Sequence, residues 1–420
     1  MSQEASQTLT QLHVAIIGGG LGGLLLYQAL SKNPRFSVTI YERDASLSAR
    51  GQGYILGINP DGYQALASAM SQSDLDTLFK GSDTMMFLMV DHQLNVLMKI
   101  VGTPGYGRSV SVERWALRQM LAKGAPIEWG KKYDRYEEVP DGGIRAYFED
   151  GTCITADILV GADGSRSKVR TQRCPNLVVE DVHITSIAAT VGTDVLDKAP
   201  TIKTLLDQGC IRVLGKEGKT LLILPYVAEP RPDAPSNVVT GKRVVWALSF
   251  PTPSSELSET LSDPAKTIEY AVQCVQSGFL SSPDIAQLIS CTTPSDVIFT
   301  PRGLLSTVPP KGNPLLETGP LSVTLLGDAA HAMTTHRGMG ANTAFQDASD
   351  LAAALQAEGD IKEAIKQYNE KMMKRGITAV KASKQSTDMI HAQGTFSGVR
   401  NWMLWGIGGI MKVSQKLTGK

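Results

Sequence analysis

Five cysteines in 420 residues (Cys153, Cys174, Cys210, Cys274 and Cys291) are an odd count and include no C-x-x-C pair. That pattern excludes a disulfide framework and a cysteine zinc site, and it suits a reducing compartment, so a cytoplasmic location is expected. Neither sign of charge is in excess, since Lys+Arg and Asp+Glu are both 41. Nothing in the overall balance recruits nucleic acid or an acidic membrane. The first twelve residues are polar and lack an apolar secretory core. The apolar tail, Trp402-Met-Leu-Trp405-Gly-Ile-Gly-Gly-Ile-Met411, is too short to span a bilayer as a helix. It can cap the body or lie on a membrane surface, and the cap is the commoner outcome. There is no repeat, no low-complexity tract and no metal cluster, nucleophilic triad or carboxylate pair.

Glycine, by contrast, is plentiful, with 40 residues. An apolar run, His13-Val-Ala-Ile-Ile17, ends in Gly18-Gly19-Gly20-Leu21-Gly22-Gly23 and continues as an apolar helix from Leu24 to Leu30. Gly18, Gly20 and Gly23 have the G-x-G-x-x-G spacing: a tight turn, close backbone approach to a pyrophosphate, and close helix–strand packing. The helix N-terminus offers free amide hydrogens to phosphates. A second strand, Val38-Thr-Ile-Tyr41, ends at Glu42, about where an acid meets ribose hydroxyls. A glycine turn can also close without a ligand. The strand before it, the helix after it and the acid beyond favour a dinucleotide.

Two later segments have related character. Asp157-Ile-Leu-Val160 runs into Gly161-Ala162-Asp163-Gly164-Ser165-Arg166-Ser167, a strand-end turn carrying a carboxylate and hydroxyls. Leu321-Ser-Val-Thr-Leu-Leu326 runs into Gly327-Asp328-Ala-Ala-His331 and then Thr334-Thr335-His336-Arg337-Gly338-Met339-Gly340-Ala341-Asn342. The glycines there let the backbone curl, and the amides of Gly340, Ala341 and Asn342 can converge as an anion nest beside the next helix. The first and last motifs suit the two ends of one flavin nucleotide.

The organisation between them is interleaved. Residues 13–43 read as β-α-β, and 144–160 as a hairpin around Glu149-Asp150-Gly151. Strand-like runs at Ile184–Val191, Cys210–Leu214, Thr220–Leu224 and Arg243–Phe250 read as an antiparallel sheet. Residues 228–241, with Pro230, Pro232 and Pro235, read as a mobile loop. Helical periodicity returns with Ala344, Ala348, Leu351, Ala352 and Leu355 on one face.

In identity, order and spacing, the glycine turn with Glu42, the GADGSRSKVR stretch and the GDAAHAM…GMGANTAFQDASDLA stretch resemble the single-component FAD-dependent aromatic hydroxylases. That family includes p-hydroxybenzoate and salicylate hydroxylases, and the likeness is greater to fungal secondary-metabolite members. It covers about positions 12–385. The fold it implies is α/β: a Rossmann-like FAD-binding domain (1–80, 101–175 and 320–385) interleaved with an antiparallel-sheet substrate domain (81–100 and 176–319), then a helical tail (386–420). The resemblance implies that Gly18, Gly20, Gly23 and Glu42 hold the ADP half, with Arg114 near the pyrophosphate, and that Arg43 and Gly53 also bind the cofactor. Asp163 and Gly164 would lie behind both the flavin and the pyridine-nucleotide sites, and Asp328 at the ribityl or pyrophosphate region. Gly338, Gly340, Ala341 and Asn342 would lie beside the flavin ring. It also implies reduction of FAD by NADPH or NADH, addition of O2 as a flavin C4a-hydroperoxide, and hydroxylation of an electron-rich ring. No metal and no separate nicotinamide domain are needed, and a monomer or homodimer is expected.

Some residues depart from the family. Thr334-Thr335 replaces a usual Pro-Pro. His336 or Arg337 can pair with a phenolate in the substrate pocket, or both can face solvent or phosphate. The Arg that many fungal relatives place on the first strand of the substrate sheet is missing between Asp181 and Val191. Tyr226 matches a Tyr that often faces substrate, and a structural hydrogen bond is the competing reading. Trp246 and His331 read as packed core residues. The halogenase signature W-x-W-x-I-P is absent. An oxidase, a dehydrogenase, epoxidation or Baeyer–Villiger chemistry on the same scaffold, and a non-catalytic flavin sensor, remain as rivals. The substrate is expected to be an aromatic, phenolic or polyketide-like small molecule.

Overall fold

The computed structural model describes residues 11–49, 54–80, 86–101, 109–140, 142–228, 241–252, 262–278 and 280–418. Gly53 and most of the proline-bearing stretch 228–241 lie outside the described residues.

Five parallel strands form one sheet, in the order Val323–Leu325, Ile158–Gly161, Leu12–Ile17, Phe36–Glu42, Ile127–Trp129. Leu12–Ile17 and Ile158–Gly161, in the interior of the sheet, are buried over most of their length and read as near-continuous apolar runs, whereas Phe36–Glu42 and the edge strand Ile127–Trp129 carry exposed residues. Helices Leu21–Leu30 and Gly340–Gln356 share the core with this sheet and pack on each other. In register, Ile17 stands beside both Tyr41 and Gly161, and Gly161 beside Leu325. The segments after those residues therefore leave the sheet together at its carboxyl edge, where open α/β sheets bind ligands.

The hairpin expected over 144–160 forms between Ile144–Phe148 and Cys153–Ala156, with Tyr133–Glu138 as a third strand. Its second strand is shorter than the apolar pattern suggested. At Asp157 the chain turns: Oδ2 accepts the His13 amide at 2.7 Å, and Ile158 onward joins the parallel sheet.

The larger sheet has seven strands, in the order Val297–Thr307, Val179–Gly192, Gly241–Pro251, Thr220–Ala228, Cys210–Leu214, Met86–Asp91, Val96–Val101. It contains the four runs read from sequence, with one correction: Cys210–Leu214 pairs in parallel with Met86–Asp91. Alternate residues point to opposite faces. Ile211, Val213, Ile223, Trp246 and Phe250 pack outward under helices Pro200–Leu206, Pro264–Gln276 and Pro283–Ser290. Trp246 is fully buried there, and its indole N–H donates to Thr292 Oγ1 at 2.9 Å. The other face carries Arg212, Leu222, Ala247 and Ala188 in one register row.

Candidate active site

The glycine turn is shaped by contacts as well as by torsions. Gly18 has φ +113°, and a Cβ there would lie 2.4 Å from the Ala162 carbonyl oxygen. A Cβ on Gly23 would lie 2.4 Å from the Gly18 oxygen. These two glycines bring strand, turn and helix into contact. Gly20 differs: a Cβ there would meet nothing within 4 Å. It opens onto a cleft that Gly18, Glu42, Arg43, Arg114, Asp163 and Gly164 also line. The helix that starts at Leu21 has no acidic residue in its first turn, so its N-terminal potential stays positive.

Glu42 is only 5% exposed. Its Oε2 accepts the Gly19 amide at 2.6 Å and its Oε1 the Asp44 amide at 2.9 Å. Two arginines one helical turn apart then divide the work. Arg118 is buried; its guanidinium donates twice to the Gly19 carbonyl at 3.2 Å and once to Leu47 at 2.7 Å. It fixes the back of the glycine turn. Arg114 lies over the Tyr54 ring, 5.4 Å from its centroid, and its buried Nη1 has no hydrogen-bond partner. A guanidinium nitrogen without a partner at a cleft suits an anionic ligand atom.

The middle and last motifs are tied together. Asp163 caps the helix Lys168–Arg173, accepting the Lys168 amide at 2.9 Å and the Ser167 hydroxyl. Arg170 donates to Ser165 O and to Ala329 O, bridging the Asp163 loop to the Gly-Asp turn. Asp347 accepts the Gly327 amide at 2.9 Å, and its Oδ2 stands 2.6 Å from His331 Nε2 with both side chains fully buried. Asp347 is thus the partner of His331. Asp328 is solvent-accessible although protein surrounds it, which places it in a hollow. Burial raises its pKa, opposed by His331 and Arg114. A Cβ on Gly340 would come 3.7 Å from Asp328 Oδ1, so the two lie side by side. Gly338 adopts the left-handed conformation at the end of the turn Thr335–Arg337. The Asn342 side chain is committed elsewhere: it accepts the Asn59 amide and donates to Gly57 O and Gly338 O. Ala341, partly buried, follows Gly340 in the first turn of its helix.

The large sheet forms the facing wall. His336 Nδ1 is 2.9 Å from Thr387 Oγ1, and its Nε2 is 3.1 Å from Ser249 Oγ and 3.3 Å from His391 Nε2. Burial, then Arg212, then His391 hold His336 well below the usual histidine pKa. Burial lowers Arg212 to about 10, so it stays a cation at neutral pH. Arg337 is half-buried on the same turn as His336. Tyr226 is fully buried with Leu224 and Val245, and its hydroxyl donates to Glu113 Oε1 at 3.0 Å, next to Arg114. Among the described residues no group of His, Cys, Asp and Glu could hold a metal ion.

Sequence reasoning missed Arg118, Lys131, Lys132, Arg166 and Lys168 around the cleft, and Arg212 on the wall. Arg212 had a readable signal: it is the lone charge in Cys-Ile-Arg-Val-Leu.

The residues fit the FAD that the motifs imply. An open glycine and a helix N-terminus face one cleft that Arg114 also lines, with an accessible aspartate in a nearby hollow.

Residues 319–383 match the FAD binding domain family, and residues 16–70 match the NAD(P)-binding Rossmann-like domain family. The FAD-dependent monooxygenase thnD of Trichoderma harzianum is 32% identical over 403 residues, spanning 90% of this chain and 93% of that protein. A crystal structure of a putative FAD containing monooxygenase from Photorhabdus luminescens superposes with TM-score 0.75 at 27% identity, covering 90% of this chain and 98% of that one. Klebsiella pneumoniae HpxO, solved with FAD and uric acid, shares the fold with TM-score 0.76 at 19% identity, covering 97% of each chain. With its motifs meeting at one sheet edge and likeness along nearly its full length to a fungal enzyme, the chain belongs to the FAD-dependent monooxygenases.

Proposed function

We propose that this monooxygenase uses NADPH or NADH and O2 to hydroxylate an aromatic, phenolic or polyketide-like small molecule. On this reading residues 1–80, 101–175 and 320–385 serve FAD, and residues 81–100 and 176–319 serve the substrate. The observation that carries the reading is the placement of Arg212 and the His336–Ser249–His391 group on a wall beside the flavin motifs.

When bound, FAD would supply the redox chemistry, with electrons from the nicotinamide and O2 as the oxygen source, one atom going to the ring and the other to water. The chain's own work is binding, orientation and water exclusion. Glu42 would hold the ribose, and Gly20 with the first turn of its helix would take the pyrophosphate. Arg114 would complete the phosphate contacts through its partnerless nitrogen. The Gly340, Ala341 and Asn342 amides would stabilise negative charge on the reduced ring. Asp163 and Asp328 would hold the loops or hydroxyls between these ends.

On the substrate side, Arg212 would stabilise a substrate phenolate, while His336, kept neutral by its lowered pKa and bonded to Ser249 and His391, would line the pocket beside it. An ionised oxygen makes the ring more electron-rich, as attack on an electrophilic oxygen requires. Tyr226 would act through Glu113 and Arg114, and Arg337 would flank the substrate entrance.

The test is NADPH and NADH consumption by flavin-loaded protein, screened against phenols and polyketide-like aromatics under isotopically labelled O2. Substrate-stimulated oxidation with one labelled oxygen in the product is expected. Product formed without label, or peroxide released in step with every substrate tried, contradicts the proposal.

A further inference from the structure

The C-terminal helix, Thr395–Thr418, has two unlike faces. Its inner face is fitted to the large sheet. Leu404 is 5% exposed and packs with Met89, Leu214 and Leu97. A Cβ on Gly408 would lie 2.4 Å from the Leu97 carbonyl oxygen, so the helix sits directly on the edge strand. Arg400, one turn before Leu404, is buried and donates to Ile390 O at 2.8 Å. These contacts hold the helix flat against the body.

Its outer face is apolar and open. Phe396 is 75% exposed, Trp402 71%, Trp405 64%, Val399 53%, Met403 53% and Ile407 45%. Large apolar side chains are seldom this exposed together, and such a patch marks a surface that meets something. Elsewhere in the chain Trp115 and Trp246 are buried. No acidic residue follows Asp388, whereas Lys412, Lys416 and Lys420 do. The zero net charge of the whole chain conceals this purely basic tail.

We propose that the outer face of this helix docks on the surface of an anionic lipid bilayer. Exposed Trp and Phe suit the boundary between headgroups and acyl chains, where one side is wet and the other apolar. A tail with cations and no anions suits acidic headgroups. A second copy is the weaker occupant, because an isologous contact would bring two basic tails together with no counter-charge. Among the described residues no helix is long and apolar enough to cross a membrane, so the helix lies on the bilayer. An apolar aromatic substrate dissolved in that bilayer would then be close to the enzyme.

The experiment is co-sedimentation of the full-length flavoprotein with phosphatidylcholine vesicles, with and without about one-quarter phosphatidylserine. Wild type should bind the mixed vesicles, release with added salt, and show a blue-shifted tryptophan emission. The Trp402→Ser/Trp405→Ser and Lys412→Glu/Lys416→Glu variants should each lose binding roughly tenfold or more. Their flavin content should match wild type, which shows that they fold. Failure of wild type to bind, or equal binding to neutral vesicles, overturns the proposal. So does a wild-type dimer in solution that the tryptophan variant dissolves, which would assign the face to a second copy.

Discussion

Glu42 Oε2 accepts the Gly19 amide at 2.6 Å, so the acid that ends the second strand is locked onto the turn that ends the first. That bond aims a buried carboxylate along the cleft. Glu42→Gln keeps the shape and removes the charge. FAD affinity should fall about tenfold, the worth of one charge-assisted hydrogen bond. Fluorescence titration of apoprotein with FAD measures it, and an unchanged affinity removes Glu42 from the site.

Two glycine substitutions separate folding from binding. Gly20 has φ −75° and open space around it, so Gly20→Ala should leave apoprotein stability within about 0.5 kcal/mol. The added methyl would meet the pyrophosphate, so FAD affinity should fall sharply. Gly23→Ala drives a methyl to 2.4 Å from the Gly18 oxygen and should destabilise the apoprotein by about 1–3 kcal/mol. Urea melts of both apoproteins, with flavin titrations, decide it. Equal effects on stability would contradict the assignment.

The arginines should divide in the same way. Arg118→Met strips the Gly19 and Leu47 carbonyls of a buried donor and should cost about 2–4 kcal/mol of stability. Arg114→Met loses mainly the contact with Tyr54 and should cost under about 1 kcal/mol of apoprotein stability. Its FAD affinity should nevertheless drop at least roughly tenfold. A stable Arg114→Met protein that binds FAD normally would show that the Nη1 atom serves another purpose.

His391 and His336 give the fold an acid limit. Burial, then Arg212 and Arg400, hold His391 down to about 4, against the pull of the Gly218 carbonyl. His336 is also lowered. In the unfolded chain both imidazoles take up protons near the ordinary value of about 6.5. The unfolded state then binds more protons than the native state, so this contribution is complete above about pH 6.5 and is lost as pH falls towards 4. His391→Gln should flatten the stability profile in that window. Denaturant midpoints across the range measure it, and a slope identical to wild type would show that His391 is protonated in the native fold.

The local parts of this architecture were readable in sequence, and the long-range ones were not. The strand–glycine–helix order at Gly18, the strand ending at Glu42 and the Gly327-Asp328 turn are each marked by residues a few positions apart, although Gly18 also packs on distant Ala162. Residue type and spacing therefore betray them. The Arg118 contact with Gly19 spans 99 residues and the Asn342 contact with Gly57 spans 285, and no periodicity encodes such pairs. The parallel pairing of Met86–Asp91 with Cys210–Leu214 was hidden for the same reason, although the family resemblance assigns residues 81–100 to the same domain. The Asp163 turn was legible as a strand end carrying a carboxylate and hydroxyls, whereas its capping of the next helix and its tie to Ala329 through Arg170 were not. On the wall, Tyr226 and His336 stood out by residue type, but Glu113, Ser249 and His391 became their partners only through packing.

FAD is expected in the cleft at the carboxyl edge of the parallel sheet, facing the wall that carries Arg212 and the turn that carries His336. The most direct measurement is equilibrium titration of the apoprotein with FAD, followed by the flavin absorption spectrum, for wild type and Gly20→Ala. A yellow, stoichiometric complex is expected with wild type, and a large loss of affinity in a fully folded Gly20→Ala protein. Colourless wild-type protein that takes up no flavin, or a Gly20→Ala protein that binds it as wild type does, would contradict it.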